Sequence, residues 1–228
     1  MSKARVKCPF CGSKNTARIQ YGYPLFSEEL QQQLDEGSVM LGGCVINKVV
    51  VNGEHIQTNP GRYCNDCKKK FAKPPLIISK DRSCGEDYRD IVKSVRFQVG
   101  GYFSGTKEIT ISKNNKGALV EVDAYPFFDP EEIKERESQI TGKEWNKILN
   151  KLYTQFFLHE WKKRFDDPDV LDGTQWELEI KLTKGRKRLY DGSNMYPPYW
   201  ENLKRLFKPY VLVHDMGLSA RLQNEIVG

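Results

Sequence analysis

The sequence predicts an α+β protein made of two modules: a small cysteine-rich module and a larger antiparallel sheet covered by helices. Two observations predict this division. All six cysteines lie before residue 85, whereas all four tryptophans lie after residue 140. In the second part, runs of alternating apolar and polar residues stand before and between helical patterns. We expect modules at residues 1–75 and 91–228, joined by a linker at 76–90. The join is placed near Lys73-Pro74-Pro75 through Cys84-Gly85, where prolines and charges alternate without apolar periodicity.

The first module is predicted to contain a helix and a hairpin between two cysteine pairs. Ser27 is placed to cap a helix over residues 28–35. Residues 39–46 predict a strand interrupted by glycine, and residues 48–56 predict a hairpin whose Asn52-Gly53 pair suits a type I′ turn. The module is therefore a small ribbon that carries a long loop.

The second module is predicted to begin with a three-stranded antiparallel meander over residues 92–122. Helix starts follow at Asp129-Pro130 and at Thr141, where Glu144 completes a capping box. The apolar stripe after Thr141 predicts one long helix that ends at Asp166–Pro168.

The last part of the chain is predicted to contain a strand, a turn, a second strand and a helix. Strict alternation over residues 176–182 indicates a strand with one buried face. Lys184-Gly185 turns the chain into the next strand, and Pro197-Pro198 opens the final helix. Both patterns are consistent with an antiparallel sheet that helices cover on one face.

The composition is that of a globular protein with a core. Of 228 residues 39% are hydrophobic, yet no run approaches the ~20 apolar residues of a membrane span. The N-terminus has no apolar stretch like that of a secretory signal, so we expect no membrane association and a cytoplasmic location, where cysteines stay reduced. A net charge of +6 is mildly basic, short of the strongly basic domains typical of nucleic-acid binders.

Four of the cysteines form two pairs with the same spacing, Cys8 with Cys11 and Cys64 with Cys67. A two-residue gap lets both thiolates of a pair reach one metal ion, and two pairs complete the tetrahedral set of structural zinc. Gly12 supplies a residue without Cβ for the tight turn after the first pair. We therefore predict one structural Zn²⁺ with these four ligands. The alternative is two unrelated pairs, one of them a redox pair, although a redox motif needs only one.

The motifs around the cysteines extend this prediction. Cys8-Pro-x-Cys11-Gly-Ser, Leu41-Gly-Gly-Cys44 and Tyr63-Cys64-x-x-Cys67 resemble those of small bacterial zinc-ribbon proteins of unassigned function. The resemblance covers the first third of the chain and implies a zinc ribbon with Cys8, Cys11, Cys64 and Cys67 as ligands. It leaves Cys44 either as a small residue packed beside the ribbon or as a spare thiol near the metal. The stretch from Asp172 to Trp200 resembles a recurrent bacterial domain without an assigned function.

Clusters of basic residues are candidate contacts for nucleic acid. One follows the second cysteine pair, and another lies in the predicted C-terminal hairpin: Lys68, Lys69 and Lys70, and Arg186, Lys187 and Arg188. Such groups attract phosphates whatever the base sequence. We therefore predict a non-enzymatic zinc protein that contacts nucleic acid through these residues. The simpler interpretation is that each cluster is solvated surface.

Two other functions are compatible with the sequence. A protein-interaction adaptor would dock through the ribbon and present an apolar patch on the second module. A Mg²⁺-dependent nuclease of the PD-(D/E)xK type would use Pro168-Asp169 and Glu179-Ile180-Lys181. The simpler interpretation places Glu179 and Lys181 on the solvated face of a strand. His159 is predicted to be a hydrogen-bonded core histidine, and we predict no catalytic residue.

Overall fold

The computed structural model describes residues 6–71, 77–78, 85–101, 105–125, 136–169 and 173–212. Helices combine with largely antiparallel sheets, which confirms the predicted α+β class. The chain forms two compact units. The first comprises Met1–Ile91, Leu149–Lys162 and Pro197–Tyr199, and the second comprises Val92–Ile148, Lys163–Tyr196 and Trp200–Gly228. The predicted boundaries at residues 75 and 91 stay a prediction, and part of the predicted linker lies outside the described residues.

The first unit contains short strands and helices. They are β1 (Thr16–Gln20), α1 (Glu28–Asp35), β2 (Val39–Leu41), β3 (Lys48–Val51), β4 (Glu54–Gln57), β5 (Arg62–Cys64), β6 (Lys70–Phe71), β7 (Ile77–Ile78), β8 (Gly85–Glu86) and α2 (Tyr88–Ile91). One sheet has the strand order β2-β1-β5-β6. Because β1 runs antiparallel to β5 with Thr16 opposite Cys64, this sheet carries one cysteine of the second pair.

The helix and hairpin predicted in this unit are confirmed. The Leu30 N–H donates to the Ser27 hydroxyl at 3.2 Å, as an N-cap requires. Strands β3 and β4 pair antiparallel through a turn in which Asn52 and Gly53 have φ of 50° and 84°. These two positive angles are those of a type I′ turn.

The strand predicted over residues 39–46 is shorter than expected. It ends at Leu41, and two glycines follow. A Cβ on Gly42 would stand 2.5 Å from side-chain atoms of both Ile19 and Tyr21, and Gly43 has a φ of 85°. The close approach and the turn both need glycine, so residues 42–46 form a loop.

The second unit is built on a seven-stranded sheet. Its elements are β9 (Val92–Gly101), β10 (Gly105–Asn114), β11 (Gly117–Tyr125), β12 (Arg136–Ile140), α3 (Gly142–Asn150), β13 (Arg164–Asp166), β14 (Thr174–Leu182), β15 (Lys187–Ser193) and α4 (Trp200–Leu212). The strand order is β12-β11-β10-β9-β14-β15-β13. The predicted meander and the predicted strand pair are present, and the pair adds to the meander through β14 and β9. The sheet is not wholly antiparallel, because β13 pairs parallel with β15.

One face of this sheet forms the core of the second unit. Register places Phe97 of β9 opposite Ile109 of β10 and Leu178 of β14, and all three side chains are buried. Helix α4 covers this face, with Trp200 and Phe207 at ring distances of 5.7 and 5.2 Å from Phe97. The helix begins three residues after Pro197, at Trp200, rather than at the two prolines.

The helix predicted from Thr141 to residue 166 is wrong in its length. The capping box is formed, since the Thr141 N–H donates to Glu144 and the Glu144 N–H donates to the Thr141 hydroxyl. Helix α3 then gives way to a π-helical turn at Lys151–Gln155. Phe157, with a left-handed φ of 52°, separates this turn from a single 3-10 turn at Leu158–Glu160. The helix start predicted at Asp129-Pro130 lies outside the described residues.

Candidate metal centre

The four predicted cysteine ligands lie together at one end of the small sheet. The Cys8 and Cys67 sulfurs are 3.7 Å apart, and those of Cys11 and Cys64 are 3.6 Å apart. All four Sγ atoms lie within 4.8 Å of one another. Tetrahedral zinc with Zn–S bonds of about 2.3 Å places its sulfurs about 3.8 Å apart. The arrangement is therefore consistent with zinc binding by these four residues.

The two cysteine pairs sit in turns with the same backbone hydrogen bonds. In the first knuckle, residues 8–13, the Gly12 N–H donates to the Cys8 carbonyl and the Cys8 N–H donates to the Ser13 carbonyl. In the second knuckle, residues 64–69, Lys68 and Lys69 take the places of Gly12 and Ser13. The two knuckles therefore have matching backbone hydrogen bonds, and the sulfurs of both pairs lie in one group.

Lys68 adopts a backbone conformation that the sequence analysis missed. Its φ is 59°, close to the 77° of Gly12 at the matching position. A left-handed residue other than glycine is disfavoured by about 1–2 kcal/mol. Alignment of the two cysteine pairs places Lys68 under Gly12, and that comparison is the signal that could have revealed it.

Asparagine side chains join the two knuckles. The Asn65 side chain donates to the Asn15 side-chain oxygen at 2.9 Å, and Asn15 donates to the Asp66 carboxylate at 2.8 Å. Hydrogen bonds from Ser13 and Asn15 lower the pKa of Asp66. These bonds link the second knuckle to the residues that end and follow the first.

The cysteines have distinct electrostatic surroundings. Cys8 and Cys64 are fully buried, whereas Cys11 is exposed. Burial raises the pKa of Cys8 to about 12 and also raises the pKa of Cys67. Burial acts in the same direction on Cys64, but N–H donors from Cys67 and Asp66 outweigh it and lower the pKa of that thiol. Such donors favour the thiolate form that a metal requires.

An aromatic cluster lies beside the metal centre. Phe71 follows the second knuckle and packs edge-on against Phe10, at 6.5 Å, and Phe157, at 5.4 Å. Tyr199 lies 6.1 Å from Phe157. Phe157 and Tyr199 come from segments far along the chain, and the sequence analysis assigned them no role here. No local pattern marks them, because chain topology alone brings them to the ribbon.

Cys44 and His159 both lie outside the group of four sulfurs. Cys44 is exposed. The His159 side chain is 10% exposed, with Nε2 3.7 Å from the Glu160 carboxylate. Among the described residues, no further group of three or more Cys, His, Asp or Glu side chains is arranged to hold a metal ion.

The two predicted basic clusters differ in their surroundings. Lys68, Lys69 and Lys70 are exposed, and the Lys69 ammonium lies 4.8 Å from the centre of the Phe10 ring. In the hairpin of the second unit, Arg186 donates to the Thr183 carbonyl at 3.2 Å and Lys187 donates to Glu179 at 3.3 Å. Burial raises the pKa of Tyr190, and the charge of Arg188 acts in the opposite direction. These internal contacts leave the ribbon cluster as the freer of the two.

The residues of the nuclease pattern have structural surroundings of their own. Glu179 is buried rather than on a solvated face, because Lys187 on the neighbouring strand and Lys181 on its own strand cover it at 3.3 and 3.8 Å. Pro168 lines a polar groove of about 600 Å³ together with Asp166 and Asp191, and Glu179 does not line that groove. Asp169 does not line the groove either, so this groove does not bring together the two acids of the pattern.

No protein-family model matches the chain, and no curated protein matches it either. The resemblances of the two parts of the chain to bacterial domains therefore stay predictions. Within the described ranges, no helix combines the length and the apolar character needed to cross a membrane.

Proposed function

We propose that this chain binds one Zn²⁺ through Cys8, Cys11, Cys64 and Cys67 and that the surrounding residues form a zinc ribbon. The observation that carries the proposal is the four-sulfur group itself, in which two pairs of thiols stand 3.6 and 3.7 Å apart across the knuckles. Soft thiolates in a tetrahedral set select zinc over magnesium or calcium. The resemblance of the first third to bacterial zinc ribbons supports the same fold.

The proposed zinc is structural. Four protein ligands fill a tetrahedral ion and leave no position for water or a substrate, whereas catalytic zinc keeps one position open. The ion joins β5 to the turn that precedes β1, and this sheet is too small to bury a large core. Binding free energy at such a site adds directly to folding free energy.

Cobalt substitution tests the ligand set. The protein is purified, stripped of metal under reducing conditions and titrated with Co²⁺. We expect the intense sulfur-to-cobalt charge-transfer band and the strong visible bands of a tetrahedral thiolate site. Zinc should then displace the cobalt. Weak spectra typical of six oxygen or nitrogen ligands would contradict the proposal, as would the same spectra from a Cys64→Ser variant.

For the function of the protein we propose non-enzymatic contact with nucleic acid through the ribbon. The support is that Lys68, Lys69 and Lys70 are exposed and adjacent in the chain, with the Lys69 ammonium over the Phe10 ring. Phosphates attract such ammonium groups whatever the base sequence. The hairpin cations contribute less, since Arg186 and Lys187 are engaged by Thr183 and Glu179.

Fluorescence anisotropy with labelled single-stranded and double-stranded oligonucleotides tests this contact. Substitution of all three ribbon lysines by glutamate should weaken binding and flatten its salt dependence by about 0.7–0.9 per lost phosphate contact. The matched control changes Lys116, Lys143 and Lys147, which are exposed on the second unit, to glutamate. Equal losses in both variants, or no binding at low salt, would reject the proposal.

A further inference from the structure

Large apolar side chains are exposed on two segments of the first unit, the loop after β1 and the end of β2 with the loop that follows it. Tyr23 and Leu25 are 90% and 94% exposed, and four others on these segments are between 39% and 71% exposed. The six, which we call the loop patch, are Tyr23, Leu25, Phe26, Leu41, Val45 and Ile46. A single exposed apolar side chain is ordinary, whereas a group of this kind marks an interaction surface.

The two loops are neighbours because their strands are neighbours. Strands β1 and β2 pair in parallel, so the chain leaves both at the same end of the sheet. The Gly42 N–H donates to the Gln20 carbonyl at 2.8 Å, and the Gly22 N–H donates to the Gly43 carbonyl at 3.0 Å. These bonds tie residues 20–22 to residues 42–43, and the loop patch extends along the two tied segments.

The backbone beneath the loop patch is held in place. The buried Asn59 side chain accepts a hydrogen bond from the Asn47 N–H at 2.6 Å and donates to the Val45 carbonyl at 3.1 Å. On the other loop, Ser27 caps α1 directly after Phe26. The apolar side chains are therefore presented on an ordered surface, which reduces the entropy that a partner must overcome.

The chain segment that carries the loop patch is acidic, although Arg18 and Lys48 flank it directly. Between residues 19 and 47 the chain carries Glu28, Glu29, Asp35 and Glu36 and no Lys or Arg, although its net charge is +6. Glu28 and Glu29 form the first turn of α1, next to Phe26. These carboxylates disfavour nucleic acid and anionic lipid as occupants of the loop patch. They favour a partner whose apolar groups are flanked by cations.

We propose that the loop patch docks a protein segment that presents apolar side chains flanked by lysine or arginine. The apolar side chains of the partner contact Leu25, Phe26 and Val45, and its cations face the first turn of α1. This function is separate from the zinc site and from the nucleic-acid contact, since it uses neither the cysteines nor Lys68–Lys70.

Three short labelled peptides provide the probe, used with the zinc-loaded full chain. The first combines leucine and phenylalanine with lysine and arginine. The second replaces its cations by glutamate, and the third replaces its apolar residues by serine. We expect the first to bind at least about tenfold more tightly than either of the others. A Leu25→Ser, Phe26→Ser variant should lose about tenfold or more, as anchor residues do.

Charge and control variants complete the experiment. Glu28→Lys with Glu29→Lys should weaken binding of the first peptide, and more strongly at low salt. The matched control, Leu189→Ser with Met195→Ser, removes exposed apolar side chains from the second unit and should leave the affinity unchanged. Circular dichroism and zinc content show that each variant folds.

Four results would overturn the proposal. One is the lack of any preference for the first peptide, and another is equal loss in the patch and control variants. A dimer in sedimentation that the patch variant converts to a monomer would identify a second copy as the occupant. Binding to anionic phospholipid vesicles that the patch variant loses would identify a lipid surface.

Discussion

Tyr199 donates its hydroxyl hydrogen to the backbone carbonyl of Lys7, the residue before the first cysteine ligand. The Lys7 ammonium in turn donates a hydrogen bond to the Pro198 carbonyl, and its nitrogen lies 5.6 Å from the centre of the Tyr199 ring. Pro198 and Tyr199 therefore fix the residue that directly precedes the first knuckle. The metal centre depends on more of the chain than the cysteine-bearing segment.

Loss of this hydroxyl should weaken the metal centre. Burial raises the pKa of Tyr199, so the group remains a protonated donor at ordinary pH. We expect Tyr199→Phe to cost about 1 kcal/mol of unfolding free energy, the usual net value of one hydrogen bond, and to speed zinc transfer to a chelator. Tyr196→Phe, which alters an exposed ring of the second unit, is the control. Equal rates of zinc transfer from the two variants would show that the Tyr199 hydroxyl does not stabilise the metal centre.

The matching turn positions Gly12 and Lys68 should respond in opposite directions. Gly12→Ala places a Cβ at a φ of 77°, and we expect a loss of about 1 kcal/mol, since the nearest side-chain atom leaves room at 3.4 Å. Lys68→Gly relieves the same strain at 59° and should be neutral or stabilising by up to about 1 kcal/mol. Urea unfolding of the zinc-loaded proteins measures both. A destabilised Lys68→Gly variant would contradict the strain argument.

Phe157 should contribute strongly to the stability of the first unit. Its ring is buried between Phe71 and Tyr199, so truncation opens a cavity. We expect Phe157→Ala to lower the free energy of unfolding by about 3 kcal/mol, near the low end for a buried phenylalanine. Alanine keeps the left-handed backbone strain, so no relief of strain offsets the lost packing. Phe26→Ala, at an exposed position of the same unit, is the matched control. Similar unfolding midpoints for the two variants would show that the aromatic cluster does not support the ribbon.

Zinc affinity should rise with pH. Burial raises the pKa of Cys8 to about 12 and raises that of Cys67, so both thiols are protonated at neutral pH without metal. Zinc binds thiolates, so these two residues alone release two protons, and affinity should fall about a hundredfold for each unit of acidification. Calorimetry in buffers of different ionisation enthalpy counts the protons. A proton count near zero at neutral pH would contradict the assignment.

In the metal-free protein the effect of pH on stability has the opposite sign. The Cys8 thiol keeps its proton more tightly in the folded state than at its ordinary pKa of 9.0. Its contribution is therefore present below that value and is lost as the pH rises above it. Zinc-loaded and metal-free protein should consequently diverge in stability on the alkaline side, which thermal unfolding across that range can show.

Local patterns predicted much of the fold. The capping residues Ser27 and Thr141 start helices as expected, and Asn52-Gly53 forms the hairpin turn, because these devices act within a few residues. The two CxxC pairs predicted the metal centre for the same reason. Spacing within each pair fixes how two thiols are presented, whatever lies between the pairs.

Features set by tertiary contacts were not predictable from the sequence. The apolar stripe after Thr141 continues past Phe156, but the Trp161 indole donates to the Phe156 carbonyl and Phe157 turns left-handed, so the helix stops early. Alternation placed Glu179 in solvent, whereas Lys187 from the next strand covers it. The parallel edge strand β13 and the support that Tyr199 gives the first knuckle likewise depend on chain topology.

The most direct test of the proposed zinc site is the zinc content of protein purified without added metal, measured by mass spectrometry. We expect close to one zinc ion per chain in the wild type and in Cys44→Ser, which removes an exposed thiol outside the four-sulfur group. We expect loss of zinc and of folding cooperativity in Cys8→Ser and Cys64→Ser, whose thiols are buried ligands. Wild-type protein without zinc, or zinc retained at full occupancy in Cys8→Ser and Cys64→Ser, would contradict the proposed site.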